Sequence, residues 1–171
     1  MSKPILFLMF GYPGAGKSTA AKIIQKHIAA EYLCSDLVRI ELFPSPTYTQ
    51  KEHDTVYATL DKRAEAFLKA GKSVIYDGNL NRYEHRLEKY ALCEASDARP
   101  VLLWIRTPKG IARNRAVLRG HRHLVPQNET FDSMFERVSK AMEEPREDEP
   151  VYTIDGVELE ENDFIELLDR L

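Results

Sequence analysis

Residues 11–19 read GYPGAGKST, a complete G-x-x-x-x-G-K-[ST] run that follows the apolar stretch Ile5–Phe10. Glycine permits backbone conformations that a side chain would block, so such a run can turn several successive N–H groups into one concave nest. A nest of N–H groups suits phosphate. Lys17 can reach β- and γ-phosphate oxygens, and the Ser18 hydroxyl can ligate Mg²⁺. The helix expected to start here points its positive end at the same anion. Gly11, Gly14, Ala15, Gly16, Lys17, Ser18 and Thr19 are therefore candidate nucleotide-binding residues, with ATP and Mg²⁺ as the ligands.

The motif needs a buried strand before it and an amphipathic helix after it, and the neighbouring pattern supplies both. Residues 5–10 read as a buried strand, and residues 18–29 as a helix with Ala20, Ile23, Ile24 and Ile28 on one face. Short apolar runs at 32–34, 74–76, 101–105 and 151–154 alternate with further helical periods. The helix marked by Val56, Leu60, Ala64 and Leu68 stops at Ala70-Gly71. Asn81 and Glu84 suggest a capping box, opening a helix with Tyr83, Leu87, Tyr90 and Ala91 inward. Thr107-Pro108 reads as an N-cap followed by a proline at the first helical position. Alternation of this kind predicts a three-layer α/β fold with about five parallel strands flanked by helices.

Length and charge narrow the function. A chain of 171 residues is expected to form one domain, over residues 1–171. No apolar run is long enough to span a bilayer, and the two cysteines, Cys34 and Cys93, form no CxxC pair. Both thiols read as reduced, buried and structural, which fits a cytoplasmic protein with no membrane partner. Residues 1–125 carry 20 Lys and Arg against 12 Asp and Glu, whereas residues 126–171 carry 4 against 15. The basic body suits an anionic partner, a nucleotide or a nucleic acid. The acidic C-terminal segment, about 143–171, reads as a solvated face.

Two carboxylates follow predicted strands, Asp36 and Asp77, and strand C-termini line the ligand crevice of an open parallel sheet. Each is either a turn residue or a functional one. Arg39 would share a helical side with Asp36, an arrangement that can hold a general base ionised and aimed at a hydroxyl. Asp77 is placed as a metal-side carboxylate, and Asn79, Asn81 and Arg82 could line the same crevice or cap a helix. A third cluster, Arg106, Lys109, Arg113, Arg115, Arg119 and Arg122 with His121 and His123, is either a solvated basic helix or a lid over about residues 113–126. Its arginines, hinged at Gly120, would close on transferring phosphate.

Taken in order, residues 11–19, Ser35-Asp36-x-x-Arg39, residues 74–81, the Arg-rich segment and Val125-Pro126 resemble the phosphate-loop kinases related to polynucleotide 5′-hydroxyl kinase. The outline is also similar to zeta-toxin-like kinases, gluconate-type kinases and antibiotic phosphotransferases. The resemblance implies an adenylate-kinase-like sheet and transfer of phosphate from ATP to a hydroxyl. Lys17 and Ser18 would hold triphosphate and metal, Asp36 would be the general base and Arg39 would position the acceptor. Asp77 would serve metal and acceptor, with Asn79 and Arg82 on the acceptor side. Arg119, ahead of Arg113 and Arg115, would clamp the γ-phosphate. The acceptor expected first is a polynucleotide 5′-hydroxyl; a sugar, nucleoside or antibiotic hydroxyl is the alternative, and a nucleotide-gated binding protein the third reading.

Overall fold

The computed structural model describes residues 3–119, 125 and 129–171. Strand β1 (Ile5–Phe10) leads through the glycine loop into helix α1 (Lys17–His27), which is followed by β2 (Ala30–Cys34), α2 (Ser35–Leu42), α3 (Gln50–Lys69) and β3 (Ser73–Asp77). Helix α4 (Tyr83–Ala95), β4 (Arg99–Arg106), α5 (Lys109–Leu118), α6 (Phe131–Lys140), β5 (Val151–Asp155) and α7 (Glu161–Asp169) complete the described elements. The five strands form one parallel sheet in the order β2-β3-β1-β4-β5. This is the three-layer α/β fold that the alternating pattern predicts.

Side chains alternate across each strand, so successive core residues serve opposite layers. Leu6, Leu8 and Phe10 face α3 and α4 with Val74, Tyr76 and Leu102. Phe7 and Met9 face α1 and α7 with Ile75, Leu103, Ile105 and Phe164. Helix α3 starts at Thr49, whose hydroxyl accepts from the Glu52 N–H at 3.3 Å, and ends where Gly71 takes φ 76°. The predicted stop at Ala70-Gly71 is met.

Three local expectations are not. Helix α4 turns Arg86, Lys89 and Cys93 inward, while Leu87 stays 45 % exposed. Arg86 is fully buried because Glu149 takes its guanidinium at 2.6 and 2.9 Å and the Leu80 carbonyl accepts at 3.0 Å. Apolar periodicity cannot register a charge neutralised from elsewhere in the chain. Nor is α4 capped by Asn81 and Glu84: its N-cap is Arg82, and the Glu143 carboxylate accepts from the Tyr83 N–H at 3.2 Å. The N-cap of α5 is Pro108, while Thr107 is buried and donates its hydroxyl to the Ala15 carbonyl at 2.8 Å. Among the described residues no helix is long and apolar enough to cross a membrane.

Candidate active site

The glycine loop joins the C-terminal end of β1 to the start of α1, with Gly11, Gly14 and Gly16 at φ 148°, 80° and 112°. All three angles lie in the range that favours glycine. At Gly14 the constraint is also one of space, since a Cβ would sit 2.1 Å from the Ala112 carbonyl oxygen. Ala15 is fully buried beneath the loop, its N–H bonded to the Tyr12 carbonyl at 3.0 Å. Lys17 folds over the nest and donates its ammonium to the Gly11 and Tyr12 carbonyls at 3.0 and 3.1 Å.

A cleft of about 380 Å³ opens beside this loop at the C-terminal ends of β1, β2 and β3. Gly11, Gly14, Gly16, Lys17 and Ser18 line it, and so do Asp36, Asp77, Asn79, Asn81 and Arg119. Ala15 and Thr19 do not: the first is buried and the second exposed on α1. Asp77 ends β3 and accepts from the Tyr32 hydroxyl at 2.8 Å. Burial and then the Asp77 charge hold that phenol protonated well above its ordinary range, and Ser18 also bonds to it. Tyr32 thus links the Ser18 hydroxyl to the Asp77 carboxylate. Cys34 lines the same cleft and is only half-buried, which corrects the reading of both thiols as buried. Burial and then Asp77 push its thiol up, away from a reactive thiolate.

Asp36 lies in the first turn of α2, where a carboxylate complements the helix dipole. Arg39 forms an ion pair with Glu52 of α3 at 3.7 Å, a partner not singled out from the sequence. Glu52 is fixed near the start of α3, accepting from the Thr47 N–H and hydroxyl at 3.0 and 2.6 Å and from the Tyr48 N–H at 2.8 Å. Arg39 is 7 % exposed, stacks on the Tyr48 ring at 5.0 Å and does not line the cleft. Asp36 still feels this group: after burial, its charge is what pushes the Tyr48 phenol up. Tyr57 also lines the cleft and accepts the Asn79 N–H at 2.7 Å. Gly78 fits between, since a Cβ there would come within 2.9 Å of the Tyr76 ring and 3.1 Å of the Tyr57 ring.

The arginines divide. Arg119 caps the C-terminal end of α5 and reaches the cleft. Arg113 pairs with Asp132 of α6 at 2.7 Å, and Arg115 donates to the Gly156 and Val157 carbonyls at 2.5 and 2.8 Å. Arg82 pairs with Glu84 at 3.4 Å on the surface. None of these three lines the cleft. Gly120, His121, Arg122, His123 and Pro126 lie outside the described residues, so the lid over 113–126 is described only in part. Arg137 of α6 lines the cleft and was not singled out from sequence. Glu129 holds its guanidinium with two bonds at 2.9 and 2.7 Å. Its only signal in the sequence is a cation on the polar face of an amphipathic helix, which is an ordinary surface pattern.

Comparison with known proteins places this geometry. Residues 6–144 match the family model described as AAA domain. Among curated proteins no sequence matches. A Chloroflexus aurantiacus J-10-fl protein given the provisional name of kinase superimposes with a TM-score of 0.78 at 18 % identity, over 99 % of this chain and 98 % of that one. The Mycobacterium tuberculosis APS kinase CysC, in complex with AMPPNP and APS, gives 0.69 at 15 % identity, over 99 % and 98 %. A chain of the Pnkp1/Rnl/Hen1 RNA repair complex gives 0.67 at 18 % identity, over 82 % of this chain and 45 % of that one. At such identities the likeness is one of fold.

Proposed function

The chain belongs to the AAA domain family, and on that premise we propose that it is an ATP- and Mg²⁺-dependent phosphotransferase acting on a hydroxyl acceptor. One observation carries the reading. Lys17, Ser18, Asp36, Asp77, Asn79 and Arg119, drawn from positions 17 to 119, converge on a single cleft.

The roles follow from chemistry. The glycine nest receives the triphosphate, and Lys17 exchanges its two loop carbonyls for the β- and γ-oxygens. Ser18 and Asp77 would hold Mg²⁺; hydroxyl and carboxylate oxygens are the hard ligands it takes, and Tyr32 already ties the two groups together. The metal supplies charge neutralisation across the phosphates. Asp36 accepts the proton of the acceptor hydroxyl as that oxygen attacks the γ-phosphorus, and ADP leaves with the bridging oxygen. Arg119 and Arg137 meet the charge that spreads over the transferring oxygens.

The acceptor we favour is a small molecule, because a cleft of about 380 Å³ that must also take the triphosphate leaves little room beside Asp36. A polynucleotide 5′-hydroxyl end is the second reading, favoured by the order of the motifs and by 20 Lys and Arg against 12 Asp and Glu over residues 1–125. The test is transfer of label from γ-labelled ATP into two pools, with Lys17→Ala as the blank. One pool holds 5′-hydroxyl DNA and RNA oligonucleotides, the other sugars, nucleosides and amino alcohols. Label in the second pool is the expected result. Label on oligonucleotides alone would overturn the small-molecule acceptor, and label in neither would overturn the phosphotransferase itself.

A further inference from the structure

A second cavity, of about 230 Å³, opens between α3 and α4. Two of its lining residues, Tyr57 and Asn79, also line the phosphate cleft, so the two spaces are neighbours. The rest of its wall comes from Gln50, His53, Asp54 and Asp61 of α3, and from His85, Glu88 and Lys89 of α4. Every lining residue can form a hydrogen bond.

The charge of this wall is the informative part. Its sole ammonium, Lys89, is already committed: Asp61 takes it at 2.6 Å and Glu88 lies at 3.6 Å. Asp61 also accepts the Tyr76 hydroxyl at 2.7 Å. Asp54 accepts from the Gln50 side-chain amide at 2.7 Å. Three carboxylates therefore face one spent cation. His53 adds no positive charge, because burial, and then Arg39, lower its tendency to protonate. The His85 Nδ1 is buried, with no hydrogen-bond partner among the described residues. A phosphate-bearing strand or a sugar phosphate would meet this wall as a like charge. The basic excess of residues 1–125 is not spent at this mouth.

We propose that this cavity is the acceptor-recognition subsite of the phosphotransferase, and that it takes a small, hydroxyl-rich molecule carrying a protonated amino group. The inference rests on the phosphotransferase reading above. The amine docks between Asp54, Asp61 and Glu88, ring hydroxyls bond to His53, His85 and Asn79, and the reacting hydroxyl projects past Tyr57 toward Asp36. A volume below the roughly 300 Å³ usual for a whole ligand fits a subsite that holds one end of the acceptor.

The test uses the whole protein without ATP. Ring signals of His53 and His85, assigned with His53→Gln and His85→Gln among the five histidines, are followed by NMR. Amino sugars and amino alcohols are titrated, each beside its neutral hydroxyl counterpart and its phosphorylated one, with glucosamine, glucose and glucose 6-phosphate as the first set. A 5′-hydroxyl oligonucleotide is the last arm. At least one amine should shift both rings with an affinity about tenfold or more above its neutral partner, and Asp54→Asn should cut that preference about fivefold. Neutral, phosphorylated or oligonucleotide ligands that bind as well as the amines would overturn the proposal, as would silent rings throughout. Rings that respond to amines in a protein that transfers no phosphate would instead sink the phosphotransferase reading and leave the cavity its ligand.

Discussion

A methyl group on Gly14 would press on the Ala112 carbonyl and force an alanine into φ 80°. The conformational term alone is roughly 1–2 kcal/mol, and the overlap adds to it. Gly14→Ala is expected to lower Tm by roughly 4–8 °C and to remove nucleotide binding, which a thermal melt with and without ATP checks. Asp36→Asn should separate two functions. Stabilisation by ATP should persist, while the single-turnover rate falls by about a hundredfold or more, as the loss of the proton acceptor proposed above requires. Full activity in that variant would move the base to Asp77. At this scale the loop was legible because its chemistry is local: residues 11–19 carry their own geometry. The pairing of Arg39 with Glu52 was not. Asp36 and Glu41 are the acids near Arg39 on its own helix, but Glu52 comes from the next helix, fixed in place by three donors from residues 47 and 48.

Among elements, α4 teaches most. Its apolar residues point one way in sequence, yet the face turned inward is Arg86, Lys89 and Cys93. Arg86 finds Glu149 from 63 residues away, and Lys89 finds Asp61 from 28 away. Pairings over such separations leave no mark on periodicity. The strands and the long helices were legible because burial imposes its period on them directly. Arg86→Met strands the Glu149 charge and should cost about 3–5 kcal/mol in denaturant melts at pH 7. A pH series tests the other partner. Burial raises the Glu149 carboxyl, but bonds from Arg86, the Arg146 N–H and Tyr90 outweigh it, so the folded-state value lies below the ordinary 4.5. A lowered value means stability that is present above the unfolded pKa and lost as pH falls through the folded one. The stability gap between wild type and Glu149→Gln should therefore be full at pH 7 and shrink below about pH 4.5. A gap unchanged down to pH 3 would detach the pair from stability. The stakes reach the site, because Arg86 also holds the Leu80 and Asn81 carbonyls beside Asn79.

For the whole molecule, ligand binding and folding are linked. ATP with Mg²⁺ at a hundred times Kd should add about 2.7 kcal/mol to stability, and Lys17→Ala should abolish most of that gain in a thermal shift assay. The opposite charges of the two ends of the chain were legible as counts, but where the charges go was not: Glu149 of the acidic segment serves the core rather than the surface. The sheet order has a consequence for how the chain assembles. Leu6 sits between Val74 on one side and Pro100 on the other, so β1, which precedes the other four strands in the chain, lies at the centre of the sheet. Until residue 99 has emerged, that strand keeps an open edge of unpaired N–H and C=O groups between apolar side chains, the kind of surface on which nascent chains stick to one another. Loops this long close slowly, so refolding is expected to lag behind that of a helical bundle of equal size and to lose yield at high protein concentration. The strand that presents the phosphate loop is the one whose enclosure waits for the most chain.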